Sequence, residues 1–151
     1  MLELARLSDG QAINTLARQI HEVHISWRPD IYTMPQILYP EARIREEIQN
    51  RNLYVARIGD AVVGYVLLEI RMIEKTGLVK RKIMHIHELC VEQSCRGQGI
   101  GTQIMAEVRI LAKAFGCTDL QLGVYPQNDE AVSFYQKCGF MIQSITMQRK
   151  V

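Results

Sequence analysis

No apolar run in this sequence approaches the ~18 consecutive residues that a membrane-spanning helix requires. The first residues, MLELARLSDGQ, lack a basic segment followed by an apolar stretch. Neither a membrane anchor nor an export signal is therefore expected. Cysteine is scarce: the four, at positions 90, 95, 117 and 138, form no C-x-x-C pair. That spacing argues against a zinc site and against a disulfide framework, and it fits reduced thiols in a cytoplasm. Charge of one sign is not in excess either. Eighteen Lys and Arg stand against 16 Asp and Glu, a formal net charge of +2, far short of the basic surplus of nucleic-acid binders, so nucleic acid is not an expected partner.

What is present is the composition of one globular domain spanning 1–151, with 48% hydrophobic and 23% charged residues and enough length for a sizeable core. Residues 2–7 (LELARL) alternate apolar and polar as a short strand does, and Ser8 stands where a helix N-cap is wanted. Ile13, Leu16, Ala17, Ile20, Val23 and Trp27 then recur at helical spacing until Arg28-Pro29 stops the helix. An apolar, proline-pinned loop over 29–40 leads into a short charged helix, EARIREEIQN. The runs LYVARI (53–58) and AVVGYVLLEIRMI (61–73) meet at Gly59-Asp60, a strong hairpin signal, and a second hairpin turns into IMHIHELCV (83–91). After a glycine-rich stretch come a helix closed by Gly116, a strand over 118–124, a helix from Asn128 to Lys137 and a last strand, ITMQRKV. This order predicts a mixed α/β domain.

The glycine-rich stretch, CRGQGIGTQ at 95–103, sits between a strand and a helix. There, free backbone N–H groups and the positive helix end favour an anion, typically phosphate. A dinucleotide fingerprint would need glycine at 102, where the chain has Thr102, and a Walker A loop would need a lysine between Gly101 and Thr102. Both common nucleotide readings fail.

Arg96-Gly97-Gln98-Gly99-Ile100-Gly101 fits R-x-x-G-x-G; it follows ELCV and is itself followed by NDEAVSFYQKCGF. In these segments, and in the whole order of strands and helices, the chain resembles the GNAT superfamily of acyl-CoA-dependent N-acyltransferases. The resemblance implies a single-domain α/β fold: a mixed, mostly antiparallel central sheet flanked by helices, with a splayed fourth and fifth strand pair. It implies acetyl-CoA as cosubstrate and no metal, with the pyrophosphate held by the backbone of Arg96, Gly97, Gln98, Gly99, Ile100, Gly101 and Thr102. Leu89, Cys90 and Val91 would offer main-chain contacts to acetyl and pantetheine, and Asn128 a hydrogen bond to the pantetheine arm. Where relatives often have Pro and an aromatic residue before the arginine, this chain has Gln93 and Cys95.

An ammonium must lose a proton before it attacks a thioester. The resemblance assigns that proton to Glu88, acting through a water, and gives Tyr135 the task of protonating the departing thiolate. A strand carboxylate in a cross-strand pair and a core aromatic beside Phe134 are the alternative readings of those two residues. Cys90 as an acyl-accepting nucleophile is disfavoured, because no histidine arrangement beyond His85 and His87 accompanies it. His85 and His87, with His21 and His24, make no recognisable set of three metal ligands. The acceptor amine is expected between the N-terminal helices and the hairpin strands, lined by Trp27, Tyr32, Tyr39 and Glu69. A homodimer is compatible with these features. An acyl-CoA-binding regulatory module without turnover would share the glycine loop and Asn128 but would have no use for Glu88 and Tyr135.

Overall fold

The computed structural model describes residues 1–151. Five strands, β1 (Leu2–Leu4), β2 (Leu53–Ile58), β3 (Ala61–Ile73), β4 (Arg81–Val91) and β5 (Asp119–Leu122), form one sheet in that spatial order. Four helices cover it: α1 (Gly10–Trp27), α2 (Glu41–Gln49), α3 (Ile100–Ala114) and α4 (Asp129–Lys137). All neighbours run antiparallel except β4 and β5, which are parallel. The expected mixed α/β architecture is the one observed.

Alternation along the strands sorts the core into two layers. Val55, Tyr65, Leu67 and Cys90 pack with Ile13, Leu16 and Ala17 of α1 and Ile44 of α2. Tyr54, Ala56, Val66, Leu68, Met84 and Ile86 pack with Ile104, Met105, Val108 and Ala112 of α3 on the opposite face. Because Leu67 pairs with Glu88 and Tyr65 with Cys90, Glu88 lies on the α1 face. An irregularity in the β3–β4 ladder, at Leu67/Leu68 opposite Glu88 and Ile86, leaves His87 as the extra residue. The β4–β5 ladder joins Ile83–Ile86 to Asp119–Leu122 and stops. From Glu88 to Val91, β4 therefore has β3 on one side and no strand on the other, which is the splay expected between the fourth and fifth strands.

Several sequence expectations change. β1 ends at Leu4, and α1 is introduced by Asp9 rather than capped by Ser8. The Asp9 carboxylate, 6% exposed, accepts the Arg6 N–H at 2.9 Å and the Arg57 guanidinium at 2.9 and 3.0 Å. A buried charge is retained where it is paired and hydrogen-bonded in this way. The strand expected over 118–124 is shortened to β5, and ITMQRKV forms no strand. With β5 only four residues long, the tail is fixed by side chains instead: Gln143 meets Gln121 at 2.8 Å, Gln148 accepts from Arg28 at 2.9 Å, and Lys150 lies 4.0 Å from Asp30. No helix is long and apolar enough to cross a membrane, and no three or more His, Cys, Asp or Glu side chains are placed to hold a metal ion.

Gly64 sets how closely β3 and β4 approach beside the open edge. A Cβ there would lie 2.6 Å from the Cys90 carbonyl oxygen, a backbone atom that cannot swing aside. Gly64→Ala should destabilise the protein by about 1–3 kcal/mol, the usual cost of overpacking, measured by urea unfolding.

Candidate active site

Beyond Val91 the chain makes a 3-10 turn, Gln93–Cys95, and enters the glycine loop. The Arg96 side chain folds back, its Nε donating to the Val91 carbonyl at 2.9 Å, and so ties the loop to the end of β4. Gly97 and Gly99 have φ of +75° and +80°, a left-handed backbone that other residues resist, and nothing lies within 4 Å of where a Cβ would be. Gly99 is the N-cap of α3. Intrachain backbone bonds resume at Gln103, whose N–H reaches Gly99 O at 3.0 Å; the preceding amides, from Gly97 through Thr102, have no partner within the chain. A continuous arc of N–H donors at a helix start can receive a phosphate. Gly101 has an additional purpose: a Cβ on it would meet Phe134 Cζ at 3.2 Å, so its absence lets α4 pack against α3.

Glu88 is held by two phenols on one oxygen. Tyr39 and Tyr65 both donate to Oε2, at 2.6 and 2.5 Å. Burial, the adjacent Glu88 charge and these hydrogen bonds push both phenols far above their ordinary range, so they remain donors. Tyr39 reaches this position from the proline loop because Asn14 of α1 grips its backbone, accepting from Tyr39 N at 2.8 Å and donating to Tyr39 O at 2.9 Å. Arg43 stacks over the Tyr39 ring at 4.0 Å. Glu88 Oε1 has no partner within the chain and is not a buried atom. The cross-strand alternative thus holds in part: the carboxylate does bond across to Tyr65, but through one oxygen.

Tyr135 lies on the other face, packed with the α3 layer between Phe134 and Phe140, at ring-centroid distances of 5.2 and 5.7 Å. Burial, with a smaller contribution from Cys138, pushes its phenol up to about 12, so it keeps its proton across the neutral range. Asn128 caps α4 through Oδ1, which accepts from Ala131 N at 3.1 Å, and its amide NH2 is left without a partner in the chain. Cys90 is 3% exposed, its thiol directed at Leu16 O at 3.5 Å, and burial pushes it up to about 11. A buried, protonated thiol is a poor nucleophile.

The residues expected to line the acceptor site separate. Tyr39 is buried and supports Glu88 rather than lining a surface. Glu69 lies farther along β3, bound by Arg71 at 2.8 Å and His87 at 2.6 Å. Trp27 and Tyr32 belong to one cluster, joined through His24 and Tyr125, whose hydroxyl lies 2.8 Å from that of Tyr32. Sequence reading missed Tyr65, His24 and Tyr125. The strand alternation of β3 could have placed Tyr65 on the Glu88 face; Tyr125 follows a strand whose end was set two residues too late.

Comparison with known proteins agrees with this geometry. The sequence model of the Acetyltransferase (GNAT) family matches residues 18–140. The uncharacterized N-acetyltransferase YvbK of Bacillus subtilis is 30% identical over 118 residues, 77% of this chain and 70% of that one. Mouse thialysine N-epsilon-acetyltransferase is 35% identical over 81 residues, 54% of this chain and 45% of its own length, so the match spans less than half of that relative. A mutant of the BH1408 protein from Bacillus halodurans superposes with a TM-score of 0.94 at 26% identity, covering 100% of this chain and 99% of that one. The aminoglycoside N-acetyltransferase AAC(6')-Iy in complex with CoA shares the fold, with a TM-score of 0.73 at 17% identity over 100% and 99% of the two chains. The amide arc, the parted strands and the family match lead to one conclusion: this chain belongs to the GNAT family of N-acetyltransferases.

Proposed function

We propose that the protein transfers an acetyl group from acetyl-CoA directly to a primary amine, with Glu88 as base and Tyr135 as acid. The observation that carries this reading is the arrangement around the open edge of β4. The unpartnered amides of Gly97–Thr102 begin just past its end, Glu88 stands on its α1 face, and Tyr135 packs on the opposite face. The sheet is open where β4 and β5 part, so a thioester in that gap meets a base from one side and an acid from the other.

In the proposed step the ammonium gives a proton to Glu88 Oε1, directly or through water. The amine nitrogen attacks the acetyl carbonyl carbon, the N–C bond forms and the C–S bond breaks. The departing thiolate takes its proton from the Tyr135 hydroxyl, and the second proton shed by the acylated nitrogen passes to the resulting phenolate as the neutral amide forms. A thiolate with an ordinary value near 8.5 is basic enough to accept a hydrogen bond from a phenol as charge develops, although a phenol at about 12 surrenders its proton only at the end of the step. A backbone N–H from the open edge of β4 polarises the carbonyl. A regulatory module that only binds the thioester would leave the free oxygen of Glu88 without a purpose.

Three outcomes follow. Gly99→Val combines a strained φ of +80° with a side chain in the open cradle, and should abolish CoA binding measured by calorimetry while circular dichroism shows the fold intact. Glu88→Gln should lose about 10²- to 10⁴-fold in rate at pH 7 and recover part of it by pH 9, as the amine deprotonates unaided; a wild-type rate throughout would remove Glu88 from the mechanism. Initial-rate patterns with both substrates varied should intersect, and the Cys90 thiol should stay unacetylated by mass spectrometry, since direct transfer needs no covalent carrier.

A further inference from the structure

Resting on the transfer reading above, we infer that the acceptor is an amine carried on a flat or apolar body. It is held against an aromatic wall of His24, Trp27, Tyr32 and Tyr125, with its ammonium directed at the free oxygen of Glu88. The four rings come from three segments: the last turn of α1, the proline loop, and the connection from β5 to α4. They touch one another with centroids 5.2 to 6.3 Å apart. None of the four is fully buried, unlike the aromatic rings of Tyr39 and Tyr65 in the core. The hydroxyls of Tyr32 and Tyr125 meet at 2.8 Å, one donating to the other, and the larger part of what the wall offers to a ligand is ring surface. Ring faces attract cations and planar groups.

The charge around the wall leaves room for a cation. His24 is held below its ordinary value, first by burial and then by His21, while the Glu88 carboxylate acts in the opposite direction. The imidazole is thus neutral at pH 7, and it lies within the field of Glu88. Asp30, Glu69 and Glu92 are already engaged. Asp30 is bound bidentately by Arg28, at 3.0 and 2.9 Å, with Lys150 at 4.0 Å. Glu69 is held by Arg71 and His87, which lower it further. Glu92 receives the Gln19 amide at 3.3 Å and the Gln93 N–H at 2.9 Å. A ring-bearing amine gains contact with the wall that a polyamine or an aminoglycoside does not.

Trp27 is the sole tryptophan of the chain, so its emission reports directly on the wall and does not depend on turnover. The protein, with and without CoA, is titrated with phenethylamine, phenethyl alcohol, spermidine and kanamycin. Phenethylamine should change the emission saturably, and the uncharged alcohol should bind about 10-fold or more weakly. Tyr125→Leu should weaken phenethylamine by about 10-fold and Tyr125→Phe by no more than about 3-fold, because the ring is the contact, with CoA affinity by calorimetry unchanged in both. Spermidine or kanamycin binding more tightly than phenethylamine, or no saturable response to any amine in protein that binds CoA, would overturn the inference. Thiol release from acetyl-CoA is followed separately. Phenethylamine bound but never acetylated would defeat the transfer reading and leave the wall standing; acetylation of polycations in preference would do the reverse.

Discussion

Everything in this molecule that bears on chemistry depends on one failure of hydrogen bonding: β4 and β5 pair from Ile83–Ile86 to Asp119–Leu122 and then separate. In a closed sheet the edge of Glu88–Val91 would be consumed by a ladder. Here no strand pairs with that edge, and the two faces of the sheet carry separate cores. The Glu88 carboxylate is rooted on one face and the Tyr135 phenol packs with the other. Their surroundings differ accordingly: Glu88 is gripped by two hydroxyls, while Tyr135 is packed among rings and has no hydroxyl partner in the chain.

The supports of Glu88 show how far apart in sequence a site can be assembled. Tyr65 comes from the neighbouring strand by register. Tyr39 comes from a loop pinned to α1 by a two-way hydrogen bond with Asn14. The same loop carries Tyr32 to Tyr125, so one irregular segment braces both the carboxylate and the aromatic wall. Its prolines and apolar residues are explained by this bracing position. Tyr39 is as buried as any core residue although it belongs to no helix or strand.

The elements that could be read from sequence were those governed by local periodicity. The helical spacing of Ile13, Leu16 and Ala17, the turn at Gly59-Asp60 and the left-handed glycines at 97 and 99 are visible in short windows. What escaped depends on partners distant in the chain. The Asp9–Arg57 pair, which replaces Ser8 as the feature introducing α1, joins residues 48 positions apart. The closing strand failed because ITMQRKV has a strand pattern but no ladder to join, and pattern alone does not supply an edge. Glu88 was chosen by resemblance, and the tyrosines that hold it are evident only once β3 and β4 are in register. Glu69 and Tyr39 were placed on the acceptor surface by residue type; the first is tied up by neighbouring charges and the second lies beneath the surface.

The folded-back Arg96 gives the glycine loop an electrical character of its own. Its Nε is committed to the Val91 carbonyl, and the residues from Gly97 to Thr102 carry no ionised side chain. An anion resting there would be held by oriented dipoles fixed in the backbone before it arrives, rather than by mobile cations drawn in from solvent. Screening by dissolved salt acts most strongly on exposed full charges, so this part of the site would be weakened by salt less than the exposed Arg96 guanidinium beside it. Its selectivity rests on the shape of the arc.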